Sequence, residues 1–172
     1  MKGPSVHASA VLVGDRAVLI RGPSGAGKSR LAFDLILAGR SGQLPEAILV
    51  GDDRVHLDTA GGQLWVRPAR ELAGLIEIWG LGIRRCDFAT EAAVGLVVDL
   101  DAADAERLPQ SQALQTHLNG VLLPRIPVAK GFAPIPLVVA ALMTTGSSSS
   151  LNPSEDCPKG IGNHISPTLA TE

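Results

Sequence analysis

Apolar and polar positions alternate along residues 6–13 and again along residues 16–20, with Gly14-Asp15 between them. A period of two marks extended chain, and the Gly-Asp break predicts a β-hairpin. From Ser29 the period changes. Leu31, Ala32, Leu35, Ile36 and Ala38 share one face at helical spacing, which predicts a helix over residues 29–39 with Gly39 as its stop. Ala47-Ile48-Leu49-Val50 is a short continuous apolar run, expected as a buried strand. Residues 55–58 and 63–67 flank Thr59-Ala60-Gly61-Gly62, a second hairpin signal, and Pro68 to Leu72 reads as a turn or helix start. In Leu75-Ile76-Glu77-Ile78 alternation sets Glu77 among apolar neighbours, and Gly80 and Gly82 mark a turn or a close backbone approach. Residues 94–100 form another apolar strand. Residues 121–128 are extended but carry Pro124 and Pro127, which restricts them to an edge. Residues 136–143 predict a short helix with proline at its start.

From Thr144 the pattern stops, and Ser, Pro, Gly and Asn replace the apolar residues. Such a stretch buries too little to order itself, so residues 144–172 are expected to be a disordered tail behind one domain of residues 1–143.

Composition narrows the classes. The chain has 172 residues and a net charge of −2, which gives no field favouring nucleic acid or an anionic membrane. Three Phe, two Trp and no Tyr leave little for base stacking, so Leu, Val, Ile and Ala must build the core. Cys86 and Cys157 show no metal or redox spacing and suit a reducing compartment. No apolar run reaches membrane-spanning length, and the N-terminal stretch is interrupted by His7, Ser9 and Asp15, unlike a signal peptide. The expectation is a soluble cytoplasmic domain with neither nucleic-acid nor membrane partner.

One stretch carries explicit chemistry. Gly22-Pro23-Ser24-Gly25-Ala26-Gly27-Lys28-Ser29 fits G-x-x-x-x-G-K-[ST], the phosphate-binding P-loop, between a strand and a helix. Its glycines allow successive N–H groups to point inward at phosphate oxygens. Lys28 then reaches the β- and γ-phosphates, and the Ser29 hydroxyl coordinates Mg²⁺.

Other candidates follow. Asp52 and Asp53 end the strand after the P-loop helix, where ligands bind in such sheets. Adjacent side chains on extended chain face opposite ways, so the two are expected to differ in role; a solvated turn is the plainer reading. Asp99, after Val97-Val98, competes with them as the second acidic motif of a P-loop protein. Glu77 is either exposed on an edge or paired with a positive partner such as a metal ion. His7 on its strand is equally readable as an ordinary half-exposed side chain, and Arg107 as a solvated surface arginine.

Four separated stretches together resemble the catalytic domain of HPr kinase/phosphorylase, particularly short bacterial versions lacking the family's N-terminal domain. They are His7-Ala8-Ser9, the P-loop, Gly51-Asp52-Asp53-Arg54-Val55 and Glu77-Ile78-Trp79-Gly80-Leu81-Gly82-Ile83, with Arg107-Leu108 as a weaker fifth. The resemblance implies an α/β fold: a P-loop kinase-like mixed sheet with flanking helices, related to the phosphoenolpyruvate carboxykinase core. It implies an ATP- and Mg²⁺-dependent protein-serine kinase that phosphorylates the phosphocarrier HPr of the sugar phosphotransferase system, or a paralogue, in control of carbon metabolism. Many relatives also run the reverse phosphorolysis, and they form homo-oligomers. By position, Lys28 binds phosphate along with the rest of the P-loop, while Ser29 and Glu77 hold Mg²⁺. Asp53 is the general base, and Asp52, His7 and Arg107 support charge and position. The chain departs from the family at Trp79, where an Arg is usual, and at Pro127-Val128-Ala129-Lys130-Gly131-Phe132, a segment linked to dephosphorylation and subunit contact. Both departures count against the reverse reaction and the usual hexamer. A non-catalytic nucleotide sensor that engages HPr, and a small-metabolite P-loop kinase, are the alternatives; the chain offers no arginine-rich lid for the latter.

Overall fold

The structure, a computed structural model, describes residues 4–145; nearly all of the expected tail therefore lies outside the described residues. The first apolar run is divided in two. β1 (Val6–His7) pairs with β5 (Arg54–Ala60), whereas β2 (Ser9–Val13) pairs with β3 (Arg16–Arg21) and β4 (Ala47–Gly51). The chain changes partner at the buried Ala8. The Gly14-Asp15 hairpin joins β2 to β3 as the alternation implied.

β3 leads through the Gly22 loop into α1 (Lys28–Arg40), which buries Leu31, Ala32, Leu35, Ile36 and Ala38, the face that the sequence marks. The expected stop at Gly39 is wrong. The helix continues to Arg40, and the left-handed residue after it is Gly42. Gly39 serves a different need: a Cβ there would stand 2.7 Å from both N and Cβ of Ala47, so only glycine lets α1 lie this close to β4.

β5 and β6 (Gln63–Pro68) form the second hairpin, and a 3₁₀ turn (Arg70–Leu72) leads to β7 (Leu75–Ile78) and β8 (Gly82–Arg85). Among the described residues these last two strands pair only with each other, and the glycines do mark the turn between them. β9 (Ala92–Leu100) then crosses the middle of the sheet, parallel to β3 along one stretch, antiparallel to β6 at its start and parallel to β11 (Val121–Val128) at its end. Residues 121–124 of β11 pair instead with β10 (Gln115–Leu118). Each half of β11 thus has one hydrogen-bonded neighbour, which accommodates two prolines. α2 (Pro134–Met143) closes the described chain; it starts with a proline, but at Pro134, two residues before the expected Pro136.

The main sheet runs β1-β5-β6-β9-β3-β2-β4 and is mixed, with both faces covered. Alternation sorts the side chains. Val11, Val13, Val18 and Ile20 pack with Leu31 and Leu35 of α1 and Val138 of α2, while Ala10, Ala17 and Leu19 pack with Val55, Leu64 and Val66. The second cluster exists because the sheet curls, bringing β6 against β4 although β9, β3 and β2 separate them in hydrogen-bonded order. β3, β4 and β9 run in the same direction, so the P-loop, Asp52 and Asp99 all fall at the C-terminal end of these strands.

Candidate phosphate-binding and acid/base site

Gly22 opens the loop at φ 150°, and a Cβ on it would lie 3.0 Å from the Cβ and the carbonyl oxygen of Leu100. The loop is thereby pressed onto the end of β9. Lys28, only 6% exposed, donates to the carbonyls of Gly22 and Pro23 at 3.0 Å each. Burial pulls its ammonium below the usual lysine range, and the nearby carboxylates of Asp52 and Asp53 work in the opposite direction.

Asp52 joins three separate parts of the chain. Its Oδ1 accepts from the hydroxyl of Ser9 at 2.5 Å and from the hydroxyl of Ser29 at 2.9 Å, and its Oδ2 accepts the backbone N–H of Glu77 at 3.1 Å. Ser9 is 0% and Asp52 3% exposed, so this carboxylate is held by directed donors rather than by water. β2, the P-loop helix and the β7–β8 hairpin meet on one side chain.

Asp53 turns away, as two adjacent acids were expected to do, but a turn rather than extended chain separates them. The N–H of Arg54 donates to the carbonyl of Asp52 at 2.7 Å, and Asp53 between them has φ 64°. Asp is one of the few side chains that visits this left-handed region, and strain of this kind gathers at functional sites. The exposed Asp53 carboxylate lies 3.3 Å from Nε2 of His7, which β1 carries across from β5.

Asp99 is not the acid that meets Ser29. Arg21 grips it in a fork, Nε to Oδ1 and Nη2 to Oδ2 at 2.7 Å each, and Nε of Arg125 donates to the same Oδ2. Burial alone would raise its carboxyl, but the hydrogen bonds from Arg21 and Arg125 outweigh burial and hold it below the ordinary range.

The Ser29–Asp52 and His7–Asp53 pairs therefore adjoin through consecutive residues, with Lys28 near enough to feel both carboxylates. The backbone of Glu77 joins them, while its side chain is exposed. Arg107 lies exposed in the irregular segment between β9 and β10. Among the described residues no group of three or more His, Cys, Asp or Glu side chains forms a metal cluster. Two participants have no role assigned from the sequence, although Ser9 lies in the His7-Ala8-Ser9 stretch. Ser9 gave a faint signal as a polar residue in a strand buried on both faces, and Arg125 as a charge between two prolines.

The HPr Serine kinase C-terminal domain family matches residues 2–155. The HPr kinase/phosphorylase of Streptococcus pneumoniae (strain Hungary19A-6) is 33% identical over 140 residues, 74% of this chain and 43% of that protein. Its counterpart in Streptococcus thermophilus (strain CNRZ 1066) is 42% identical over 80 residues, 46% of this chain and 24% of that protein. The chain thus spans less than half the length of these curated relatives. Among solved structures, the Hpr(Ser) kinase/phosphatase from Coxiella burnetii superposes with a TM-score of 0.63 at 24% identity, over 82% of this chain and 94% of that one, which shows a shared fold.

Proposed function

The chain belongs to the HPr Serine kinase C-terminal domain family, and on that footing we propose that it transfers the γ-phosphoryl group of ATP to a serine of HPr or an HPr-like phosphocarrier in the cytoplasm. The observation that carries the reading is the Asp52 junction, which fastens the P-loop serine to two other segments of the family pattern. A P-loop alone speaks only for a nucleotide. The same loop tied to the His7-Ala8-Ser9 strand and the Glu77 hairpin speaks for a protein-serine acceptor.

Phosphoryl transfer asks the protein for in-line positioning and for neutralisation of negative charge. The P-loop amides and Lys28 bind the phosphates. Ser29 and Glu77 would hold Mg²⁺, and with Asp52 bonded to Ser29 the available donors are all hard oxygens, as that ion prefers. The ion, when bound, neutralises phosphate charge. Asp53 accepts the serine proton at its exposed carboxylate, with His7 orienting that carboxylate from 3.3 Å. Arg107 adds positive charge. Asp52 keeps the parts in register.

Incubation with Mg-ATP and HPr tests the assignment. Phosphoserine on HPr, lost in Lys28→Ala, is the expected result. HPr that binds without acquiring phosphate would convert the protein into a sensor and overturn the kinase reading.

A further inference from the structure

Arg125 lies in β11, outside every motif of the site, yet it donates through all three of its nitrogens. Nε reaches Asp99, Nη1 and Nη2 grip the Asp104 carboxylate at 2.7 and 2.9 Å, and Nη1 also reaches the carbonyl of Ala113 at 2.9 Å. Its backbone N–H donates to the carbonyl of Leu114 at 2.8 Å, and the N–H of Ala102 donates to Val128 at the end of the same strand. These contacts hold both ends of one loop, residues 101–114, with Arg107 midway. On the other side, Asp99 passes the connection to Arg21, the residue before Gly22.

We infer that Arg125 is a positioning residue: it clamps both ends of the Arg107 loop to the strand end from which the phosphate-binding loop springs. Only the role of Arg107 rests on the phosphoryl-transfer reading; the clamp itself is a matter of geometry. A loop of this length has many conformations, and an arginine in it meets phosphate reliably only if its ends are fixed. One guanidinium can do this because its planar fork meets several acceptors at once, whereas a lysine ammonium is a single point of charge. The arrangement is also graded. Arg125 and Asp99 are 13% and 15% exposed at the side chain, and Asp104 is 53% exposed. The inner pair anchors, and the outer contact can be removed without leaving a buried charge alone.

Asp104→Asn is therefore the informative variant. In a steady-state assay with Mg-ATP and HPr it should lower kcat about tenfold while KM for ATP stays within about twofold. In an Arg107→Ala background it should add almost nothing, because both changes remove one contribution. Losses that multiply in full would overturn the inference. Arg125→Lys should lose as much as Asp104→Asn; full activity there would also overturn it. Wild-type protein that transfers no phosphate to HPr would instead sink the proposed function, and amide hydrogen exchange then decides the clamp by itself. Without nucleotide, residues 101–114 should exchange more slowly in the wild type than in Asp104→Asn. Equal exchange in both would show that the loop is held without the grip of Arg125 on Asp104, and would overturn the clamp.

Discussion

Ser29 donates its hydroxyl hydrogen to Asp52 at 2.9 Å, and the same carboxylate oxygen accepts Ser9 at 2.5 Å. One buried acid thus links the phosphate-binding helix to the strand two positions beyond His7. Removing it should damage the fold as well as the site. Asp52→Ala strands a buried hydroxyl and the Glu77 amide, and unpartnered groups of this kind cost about 1–3 kcal/mol each. Thermal unfolding should show a clear fall in Tm, with Mg-dependent nucleotide binding lost in protein that is still folded. An unchanged Tm would mean that the three donors find other partners.

Asp53 should separate from Asp52 in the opposite way. It is exposed and its backbone is left-handed, a conformation that Asn tolerates nearly as well. Asp53→Asn is expected to keep fold and nucleotide affinity but lose about 10²–10⁴-fold in turnover. Nucleotide titration beside single-turnover transfer checks both halves. Loss of affinity together with turnover would make Asp53 a binding residue.

Lys28 carries a trade between function and stability. Its pKa is lowered chiefly by burial, so the unfolded chain binds this proton more tightly than the folded one, and charging Lys28 opposes folding near neutral pH. Lys28→Met should abolish phosphate binding yet leave stability unchanged or higher, measured by urea unfolding without nucleotide. A large destabilisation would show that its bonds to Gly22 and Pro23 outweigh the cost of burial.

Asp99 fixes the acid limb of stability. Its folded pKa is depressed, so its contribution is complete above the unfolded value of about 4 and disappears as pH falls through the lower folded value. Unfolding followed from pH 6 downward should show that loss in the wild type and a shallower slope in Asp99→Asn. Identical slopes would remove Asp99 from the acid transition.

The repeating patterns told most about the fold. Apolar runs on either side of Gly14-Asp15 marked β2 and β3, which prove buried on both faces rather than alternating, and a period near four marked the buried face of α1. Gly39 was misread for a physical reason: a helix stop and a close helix–strand approach both call for glycine, and only the position of Ala47 distinguishes them. The site was legible where chemistry demands a fixed spacing, as in the P-loop, or an unusual doublet, as at Asp52-Asp53. Ser9 and Arg125 were not, since their partners are 43 and 26 residues away and nothing local announces such pairings. Asp99 illustrates the converse. Its local pattern suits a metal ligand, but two distant arginines already occupy its carboxylate.

The β7–β8 hairpin stands apart from the main sheet, and at its tip Trp79 is 96% exposed, two residues after the Glu77 amide that Asp52 holds. The other of the chain's two tryptophans, Trp65, is half-buried in β6. The molecule therefore contains its own optical reporter and its own reference. Anything that seats against the hairpin must cover an indole now surrounded by water, and its emission will move to the blue while Trp65 holds steady.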